Sequence, residues 1–156
     1  MKMALGRYVL LGLVVTLQAC ATGKQVEEPS GAPSISPVDR SEFVVTGEFG
    51  VRRGNSRHQG IDLAAPIGTP VWATADGRVV FAGKERGYGR TVLIDHGGGY
   101  QTRYAHLRRL GTKTGKRVEK GDLIGQVGRS GNANGAHLHY EVIKNGQPVN
   151  PRTYLD

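Results

Sequence analysis

Short apolar runs separated by glycine-containing turns fill the chain from residue 41 to residue 156. These β-like runs alternate with turn signals, and no helical period of useful length appears. Turn sequences such as Ala75-Asp76-Gly77 and Lys144-Asn145-Gly146 end them, and His96 beside Gly97–Gly99 is interpreted as a turn residue. This pattern predicts an all-β domain. The predicted strands are Phe43–Thr46, Val71–Thr74, Arg78–Ala82, Thr91–Asp95, Tyr100–His106, Asp122–Gln126 and His137–Ile143.

The last predicted strand carries two histidines on one face. Side chains in a strand alternate between its faces with period two, so His137 and His139 point the same way and the apolar residues between and after them point the other way. Glu141 follows the same alternation, either to orient an imidazole that binds a metal or to face solvent. Two imidazoles over an apolar core indicate a metal site or a proton-transfer site.

Further residues suited to zinc lie upstream. Zinc binds neutral imidazole nitrogen and carboxylate oxygen, and catalytic zinc sites combine three protein ligands with a water molecule. His58, Asp62 and His139 offer such a set, and the bound water would become a nucleophile at neutral pH. His137 and His106 could transfer protons beside the metal, since an unperturbed histidine has a pKa of about 6.5. The sequence does not assign the base to one of these two.

The first 19 residues have the organisation of an export signal. Lys2 and Arg7 form a basic start, and the apolar run Tyr8–Leu17 is shorter than the roughly 20 residues that cross a bilayer. We therefore interpret residues 1–19 as a signal peptide. Cys20, the only cysteine, resembles the lipidated cysteine of bacterial lipoproteins; the alternative is an ordinary signal peptide that leaves a free thiol nearby.

The remaining chain divides into a tether and a domain. Residues 20–40 begin with Cys20, the predicted lipidation site, and are rich in Pro, Ser, Gly and charged residues. They are predicted to be a flexible tether. Residues 41–156 are predicted to form one domain without a disulfide. The net charge of +8 favours anionic partners such as cell-wall polymer or lipid headgroups. Nucleic acid is not expected, because the basic residues are scattered and no nucleic-acid motif is present.

A set of segments in one order runs through nearly the whole domain, from about Phe49 to Tyr154. These segments are His58–Val71, Ala75–Gly77, Gly87–Gly89, Tyr104–Leu107, Gly121, Ser130–Gly131 and His137–His139. With them the chain resembles the lysostaphin-type (LytM-domain) zinc endopeptidases. This resemblance implies the duplicated hybrid motif fold, an antiparallel open sheet or sandwich. It implies one zinc ion bound by His58, Asp62 and His139, with His106 and His137 as catalytic residues.

The resemblance also implies a function, and two alternatives stay open beside it. The expected function is hydrolysis of peptide cross-links between peptidoglycan stem peptides. The first alternative is a non-catalytic activator of cell-wall amidases, as in lipoproteins similar to NlpD, with an amidase or a division protein as partner. The second is a wall-binding module in which zinc only stabilises the fold. Ala21 after Cys20 resembles a signal for the outer membrane, facing the periplasm.

Overall fold

Antiparallel β-structure accounts for the architecture of the described chain. The structure is a computed structural model that describes residues 31–155. Within that range, two short 3₁₀ turns, Arg40–Glu42 and Pro151–Tyr154, flank the strands, and no helix is long and apolar enough to span a bilayer. The strands are β1 (Val44–Gly47), β2 (Arg52–Arg53), β3 (Ser56–Arg57), β4 (Ile61–Ala64), β5 (Pro70–Trp72), β6 (Gly77–Glu85), β7 (Gly89–Gly97), β8 (Tyr100–Leu107), β9 (Arg109–Leu110), β10 (Arg117–Val118), β11 (Leu123–Gln126), β12 (His137–Lys144) and β13 (Gln147–Val149).

One large sheet supports the histidine strand. Its order is β1-β4-β12-β8-β7-β6-β10, with β13 added to the end of β12, and all neighbours are antiparallel. A smaller sheet has the order β5-β11-β9, and β2 and β3 form a separate hairpin. The predicted all-β, antiparallel fold class is confirmed, and each of the seven predicted strands overlaps an observed one.

The core fills one face of β12. Leu138, Tyr140 and Val142 are fully buried there, together with apolar residues of β4, β7, β8 and the smaller sheet. Full burial of such a side chain contributes roughly 1.5–3 kcal/mol. Because the apolar face is fixed in this way, His137 and His139 must lie on the opposite face, as the alternation predicts.

The pairing of β12 with its neighbours brings distant residues together. His139 lies directly opposite Asp62 of β4 on one side and Ala105 of β8 on the other. Directly opposite residues in an antiparallel pair have their Cβ atoms about 4.5–5.5 Å apart. The register therefore places an imidazole and a carboxylate from distant parts of the sequence side by side.

The domain begins earlier than the sequence indicates. The Ser34 backbone N–H donates to the Thr74 carbonyl at 3.0 Å, and the Trp72 N–H donates to the Pro37 carbonyl at 2.9 Å. Val38 is fully buried in the core. The tether prediction is therefore wrong for residues 31–40, because this segment pairs with β5 and its continuation. The predicted signal peptide and Cys20 lie outside the described residues.

His96 is a buried strand residue, and its interpretation as a turn residue was wrong. It lies in β7, with Nδ1 2.7 Å from the Asp76 carbonyl oxygen and Nε2 2.6 Å from Thr102 Oγ1. Thr102 Oγ1 in turn donates to the Tyr104 hydroxyl at 2.9 Å within the core. Burial lowers the pKa of His96 and outweighs the opposing hydrogen bond to the Asp76 carbonyl.

This burial predicts an acid-sensitive fold. Because the folded pKa of His96 is below its unfolded value of about 6.5, the unfolded chain binds more protons as the pH falls through that value. The free energy of unfolding should then decrease by at most about 1.4 kcal/mol per pH unit from this group. Urea unfolding of chelator-treated protein at a series of pH values measures this free energy. We expect it to fall less steeply with decreasing pH in His96→Gln than in wild type. The same pH dependence in both proteins would contradict the prediction that buried, neutral His96 makes the fold acid-sensitive.

Candidate active site and metal centre

Three side chains converge at the junction of β4 and β12. His58 Nε2 lies 3.1 Å from Asp62 Oδ1 and 3.0 Å from His139 Nδ1, and His139 Nδ1 lies 2.8 Å from Asp62 Oδ1. All three residues are buried. The structure thus brings together the predicted metal-binding residues.

Hydrogen bonds on the far side of each ring determine which nitrogen faces the cluster. His58 Nδ1 lies 2.8 Å from the Glu48 carbonyl oxygen, and His139 Nε2 lies 2.9 Å from Glu141 Oε1. Each of these acceptors requires a proton on the ring nitrogen that faces it. In the neutral rings, His58 Nε2 and His139 Nδ1 therefore direct lone pairs toward Asp62 Oδ1.

The lone pairs of His58 Nε2, His139 Nδ1 and Asp62 Oδ1 point at one another, and their mutual repulsion is relieved by a cation between them. Zinc–nitrogen and zinc–oxygen bonds are about 2.0–2.2 Å long, so tetrahedral ligand atoms lie roughly 3.3 Å apart. The observed separations of 2.8–3.1 Å between the donor atoms are close to that value. The donor set of two imidazoles and a carboxylate matches known catalytic zinc sites. The residues present therefore fit a zinc ion.

The electrostatics of the cluster favour a positive charge. Burial alone would raise the pKa of the Asp62 carboxyl, but hydrogen bonds with the two histidines and Arg53 outweigh it and hold the pKa well below its usual range. Burial lowers the pKa of His139, yet its bonds to Asp62 and Glu141 outweigh burial and raise that pKa. A proton on His139 thus supplies some of the charge that a metal would supply.

Gly60 allows the loop before β4 to approach β12. An added Cβ at this position would lie 2.3 Å from the Tyr140 carbonyl oxygen and 3.0 Å from His139 Cε1. The oxygen belongs to backbone that is fixed in the sheet, so it cannot move away. The glycine between His58 and Asp62 is therefore required for both residues to reach His139.

Glu141 supports His139 from behind. It is only 2% exposed, which excludes the solvent-facing alternative. Its carboxylate accepts hydrogen bonds from the Tyr88 hydroxyl at 2.8 Å and lies 3.4 Å from Arg103 Nε. Burial raises the pKa of Tyr88 to about 12, reinforced by the charge of Glu141, so the hydroxyl remains a donor. This network holds the His139 ring in one orientation.

Loss of the Glu141 charge should weaken metal binding. Changes to groups that orient a ligand imidazole typically lower metal affinity by 10- to 100-fold. We expect Glu141→Gln to lower zinc affinity by about that factor in a chelator competition titration. Glu85→Gln is the matched control, because Glu85 also pairs with Arg103, at 3.2 Å, but does not contact His139 in the described structure. Equal affinities in both variants would contradict the orienting role.

His106 and His137 face the cluster with their other nitrogens anchored. His106 Nδ1 lies 2.7 Å from the Ser130 carbonyl oxygen, and His137 Nδ1 lies 3.0 Å from the Gly135 carbonyl oxygen. Each Nδ1 therefore carries a proton, and each Nε2 is left as a base. The ring centroids are 4.7 Å apart, and His137 Nε2 lies 3.8 Å from Asp62 Oδ1. The two predicted proton-transfer residues lie beside the candidate metal site.

The backbone of His106 explains how its ring reaches this face. Tyr104 of β8 packs in the core, so strict alternation would direct the side chain of His106 into the core as well. His106 instead has φ of +61°, in the left-handed region that is uncommon for non-glycine residues. This conformation breaks the alternation and costs of order 1–3 kcal/mol, a type of strain that clusters at active sites.

The environment keeps His106 neutral. Burial lowers its pKa, and the neighbouring imidazole of His137 lowers it further, against the hydrogen bond to the Ser130 carbonyl. A neutral imidazole near neutral pH can accept a proton through Nε2. The site therefore combines a metal-binding cluster with a proton acceptor.

A cavity of about 440 Å³ opens over these groups. The loop before the histidine strand contributes Asn132, Asn134 and Gly135 to it. A larger cavity of about 610 Å³ lies on the smaller sheet, between β9 and β11, but no histidine or carboxylate lines it. The smaller cavity is therefore the candidate active site. Its lining residues are Thr46, Arg53, Asp62, Ala64, His106, Asn132, Asn134, Gly135, Ala136 and His137.

Sequence reasoning missed Arg53. Its Nη2 donates to Asp62 Oδ2 at 2.7 Å, on the side of the carboxylate that faces away from the histidines. One of three arginines between Val51 and His58, it has no sequence signal that separates it from its neighbours. Only the fold of the β2–β3 hairpin shows which arginine enters the cavity.

Comparison with known proteins agrees with this arrangement. The profile of Peptidase family M23 matches residues 56–151, well over half of the chain. The chain belongs to peptidase family M23. The predicted resemblance to the LytM-domain peptidases is thereby confirmed, and the matched segment spans all five residues that are predicted to bind metal or transfer protons. The likeness to NlpD, in which the M23 domain belongs to a membrane-anchored lipoprotein, stays a prediction.

The chain matches only part of each M23 relative. The chain is 53% identical over 94 residues to DD-carboxypeptidase/endopeptidase Mpg of Neisseria meningitidis, covering 60% of the chain and 22% of that protein. It is 42% identical over 120 residues to peptidoglycan DD-endopeptidase ShyA of Vibrio cholerae, covering 73% of the chain and 28% of that protein. A zinc-containing peptidase from Vibrio cholerae matches with a TM-score of 0.71 and 35% identity, covering 76% of the chain and 39% of that structure.

The M23 domain is thus the shared part. The chain spans only about a fifth to a quarter of the two curated relatives. Their similarity therefore concerns the domain that contains His58, Asp62 and His139, and not the whole of either relative.

Proposed function

We propose that this chain is a zinc-dependent endopeptidase that hydrolyses peptide cross-links of bacterial peptidoglycan. The observation that carries the proposal is the convergence of three lone-pair donors, His58 Nε2, Asp62 Oδ1 and His139 Nδ1, beside two anchored imidazoles. Membership of family M23 and similarity to relatives named DD-endopeptidases support peptidoglycan as the substrate class.

The residues divide into two groups by role. His58, Asp62 and His139 would hold one zinc ion, which supplies a Lewis acid that activates water and polarises the peptide carbonyl. The Nε2 atoms of His106 and His137 accept the proton of the attacking water and return one to the leaving amine. Both rings lie beside the cluster, with centroids 4.7 Å apart, so these proton transfers belong to the pair and not to one assigned residue.

Digestion of purified sacculi tests this function. The purified chain, loaded with zinc, should release peptide fragments whose masses in mass spectrometry show one hydrolysed amide in each cross-link. A chelator should prevent release, and zinc should restore it. If no fragments appear but amidase turnover rises when the chain is added, the chain is an amidase activator and the proposal is wrong.

We further propose that the chain is an exported lipoprotein anchored through Cys20 to the outer membrane, facing the periplasm. The basic start, short apolar run and single cysteine support this proposal. At least two lipid chains are needed for stable anchoring. We expect labelled palmitate to enter the wild-type chain but not Cys20→Ser, and the variant to leave the membrane fraction. Labelling of both proteins would contradict anchoring at Cys20.

A further inference from the structure

The β2–β3 hairpin places one arginine in the wall of the active-site cavity. Residues 51–57 are exposed, yet the Arg53 side chain is only half exposed because its guanidinium turns inward against Asp62. The other two hairpin arginines turn elsewhere: Arg52 Nε donates to the Gly54 carbonyl at 3.3 Å, and Arg57 Nη1 donates to the Gly50 carbonyl at 3.2 Å. Neither of these two lines the cavity.

The neighbouring strand leaves room for this guanidinium. An added Cβ at Gly47 of β1 would lie 2.5 Å from Arg53 Nη2 and 2.4 Å from Asp62 Oδ2. The glycine therefore permits the close contact between the guanidinium and the carboxylate. The position of Arg53 follows from the packing of three elements and is not an arbitrary surface rotamer.

Arg53 retains donors for a second anion. A guanidinium has five N–H groups in a planar fork. Among the described residues, the side chain of Arg53 has one recorded hydrogen-bond acceptor, Asp62 Oδ2. The remaining donors lie at a half-exposed position in the cavity wall. A planar fork of this kind binds carboxylate through two parallel hydrogen bonds.

The charges of the cavity favour such an anion. Arg53 is the one Lys or Arg among its lining residues, and Asp62 is the one Asp or Glu. Asp62 is already engaged by Arg53 and by the histidine cluster, and zinc in that cluster would leave the cavity with a net positive charge. A carboxylate of the substrate would offset this charge.

We propose that Arg53 binds a substrate carboxylate next to the scissile amide and thereby makes the chain selective for cross-links that carry one. This inference rests on the proposed function. In a cross-link through the second amine of a diamino dicarboxylic acid such as diaminopimelate, the carbon that bears the amide nitrogen also bears a free carboxylate. A cross-link through the side-chain amine of lysine has no carboxylate there, and a glycine bridge has a further amide at that place. Arg53 therefore favours the diaminopimelate-type cross-link over these two.

Matched substrates test the proposal. One peptide carries the free carboxylate beside the scissile amide, and the other carries a carboxamide there. We expect wild type to show a kcat/KM roughly 10- to 100-fold higher on the carboxylate peptide, since a hydrogen bond to a charged group has about that effect. Arg53→Ala should lose this preference by slowing the carboxylate peptide roughly 10- to 100-fold more than the carboxamide peptide, mainly through KM, and Arg53→Lys should keep part of it. Arg52→Ala is the control from the same hairpin and should behave as wild type.

A binding measurement separates this inference from the proposed function. Calorimetry is done on protein from which a chelator has removed the zinc, with an amino-acid product that carries the carboxylate as ligand. The Kd of wild type should be lower than that of Arg53→Ala by a factor of roughly 10 or more. The amide form should bind both proteins equally. This result stands even if neither peptide is cleaved. If Arg53→Ala slows both peptides equally and leaves product binding unchanged, Arg53 acts only by positioning Asp62, and the proposal is overturned.

Discussion

Replacing His137 with alanine should lower kcat for cross-link hydrolysis by about 10²- to 10⁴-fold while zinc affinity stays within a few-fold of wild type. The Nε2 atom of His137 faces the cluster but lies 3.8 Å from Asp62 Oδ1, outside the tight set of three donor atoms. The residue can therefore be removed without removing a metal ligand. Chelator competition and sacculus digestion on the same preparation measure both quantities.

His106, the second residue proposed to transfer protons, needs a different substitution. Because His106 has φ of +61°, alanine there would add backbone strain, whereas asparagine tolerates the left-handed region. We expect His106→Asn to lose activity to a similar extent and to bind zinc normally. Wild-type activity in either variant would reject proton transfer by that residue. A parallel loss of zinc would instead show that the residue belongs to the metal site.

Replacing Asp62 with asparagine should lower zinc affinity by more than about 100-fold and abolish hydrolysis at limiting zinc. The substitution keeps the shape of the side chain but removes the negative charge that Arg53 and the histidines surround. Changes behind a ligand cost 10- to 100-fold, and loss of a charged ligand should cost more. A chelator competition titration measures the affinity.

A remote carboxylate provides the control for this variant. Asp39 caps the first 3₁₀ turn, where its side chain accepts a hydrogen bond from the Ser41 backbone N–H. Asp39→Asn removes the same charge far from the cluster and should bind zinc as wild type does. If Asp62→Asn also retains wild-type affinity, Asp62 is not a ligand.

The histidine strand could be predicted because its signal is local. Period-two alternation needs only the order of residues in β12, and the apolar residues Leu138 and Tyr140 determine which face is buried. His137 and His139 then share the opposite face without any knowledge of the neighbouring strands. Donor chemistry offered His58 and Asp62 as partners, and the family resemblance supported that choice, because nothing local relates residues about 80 positions apart.

Strand β4 was missed because it has no alternation. Ile61, Asp62 and Leu63 are all buried, so the strand shows neither a polar face nor a helical period. Short strands that are buried on both faces read as featureless apolar segments, and Pro66 follows soon after. The strand that carries the proposed metal-binding carboxylate is thus among those that sequence patterns did not identify. The short strands β2, β3, β9, β10 and β13 were missed as well.

Several supporting contacts could not have been found from the sequence. The Glu48 carbonyl and the Tyr88 hydroxyl reach the site through the tertiary fold alone. The His106 ring reaches the site because His106 itself adopts a left-handed backbone conformation, and a histidine in the sequence does not predict that conformation. Residues 31–38 were assigned to the tether by composition, although Val38 packs in the core. Composition predicts whether a segment is ordered only on average, and one side chain that packs in the core can order the segment around it.

Hydrolysis of sacculi during a zinc titration of the metal-free chain tests whether one bound zinc ion makes the chain an endopeptidase. We expect fragment release to rise linearly with added zinc and to stop rising at about one zinc ion per chain, because one cluster of three donor atoms, His58 Nε2, Asp62 Oδ1 and His139 Nδ1, binds the metal. Fragment release that is independent of added zinc, or zinc saturation at one equivalent without any release, would contradict this proposal.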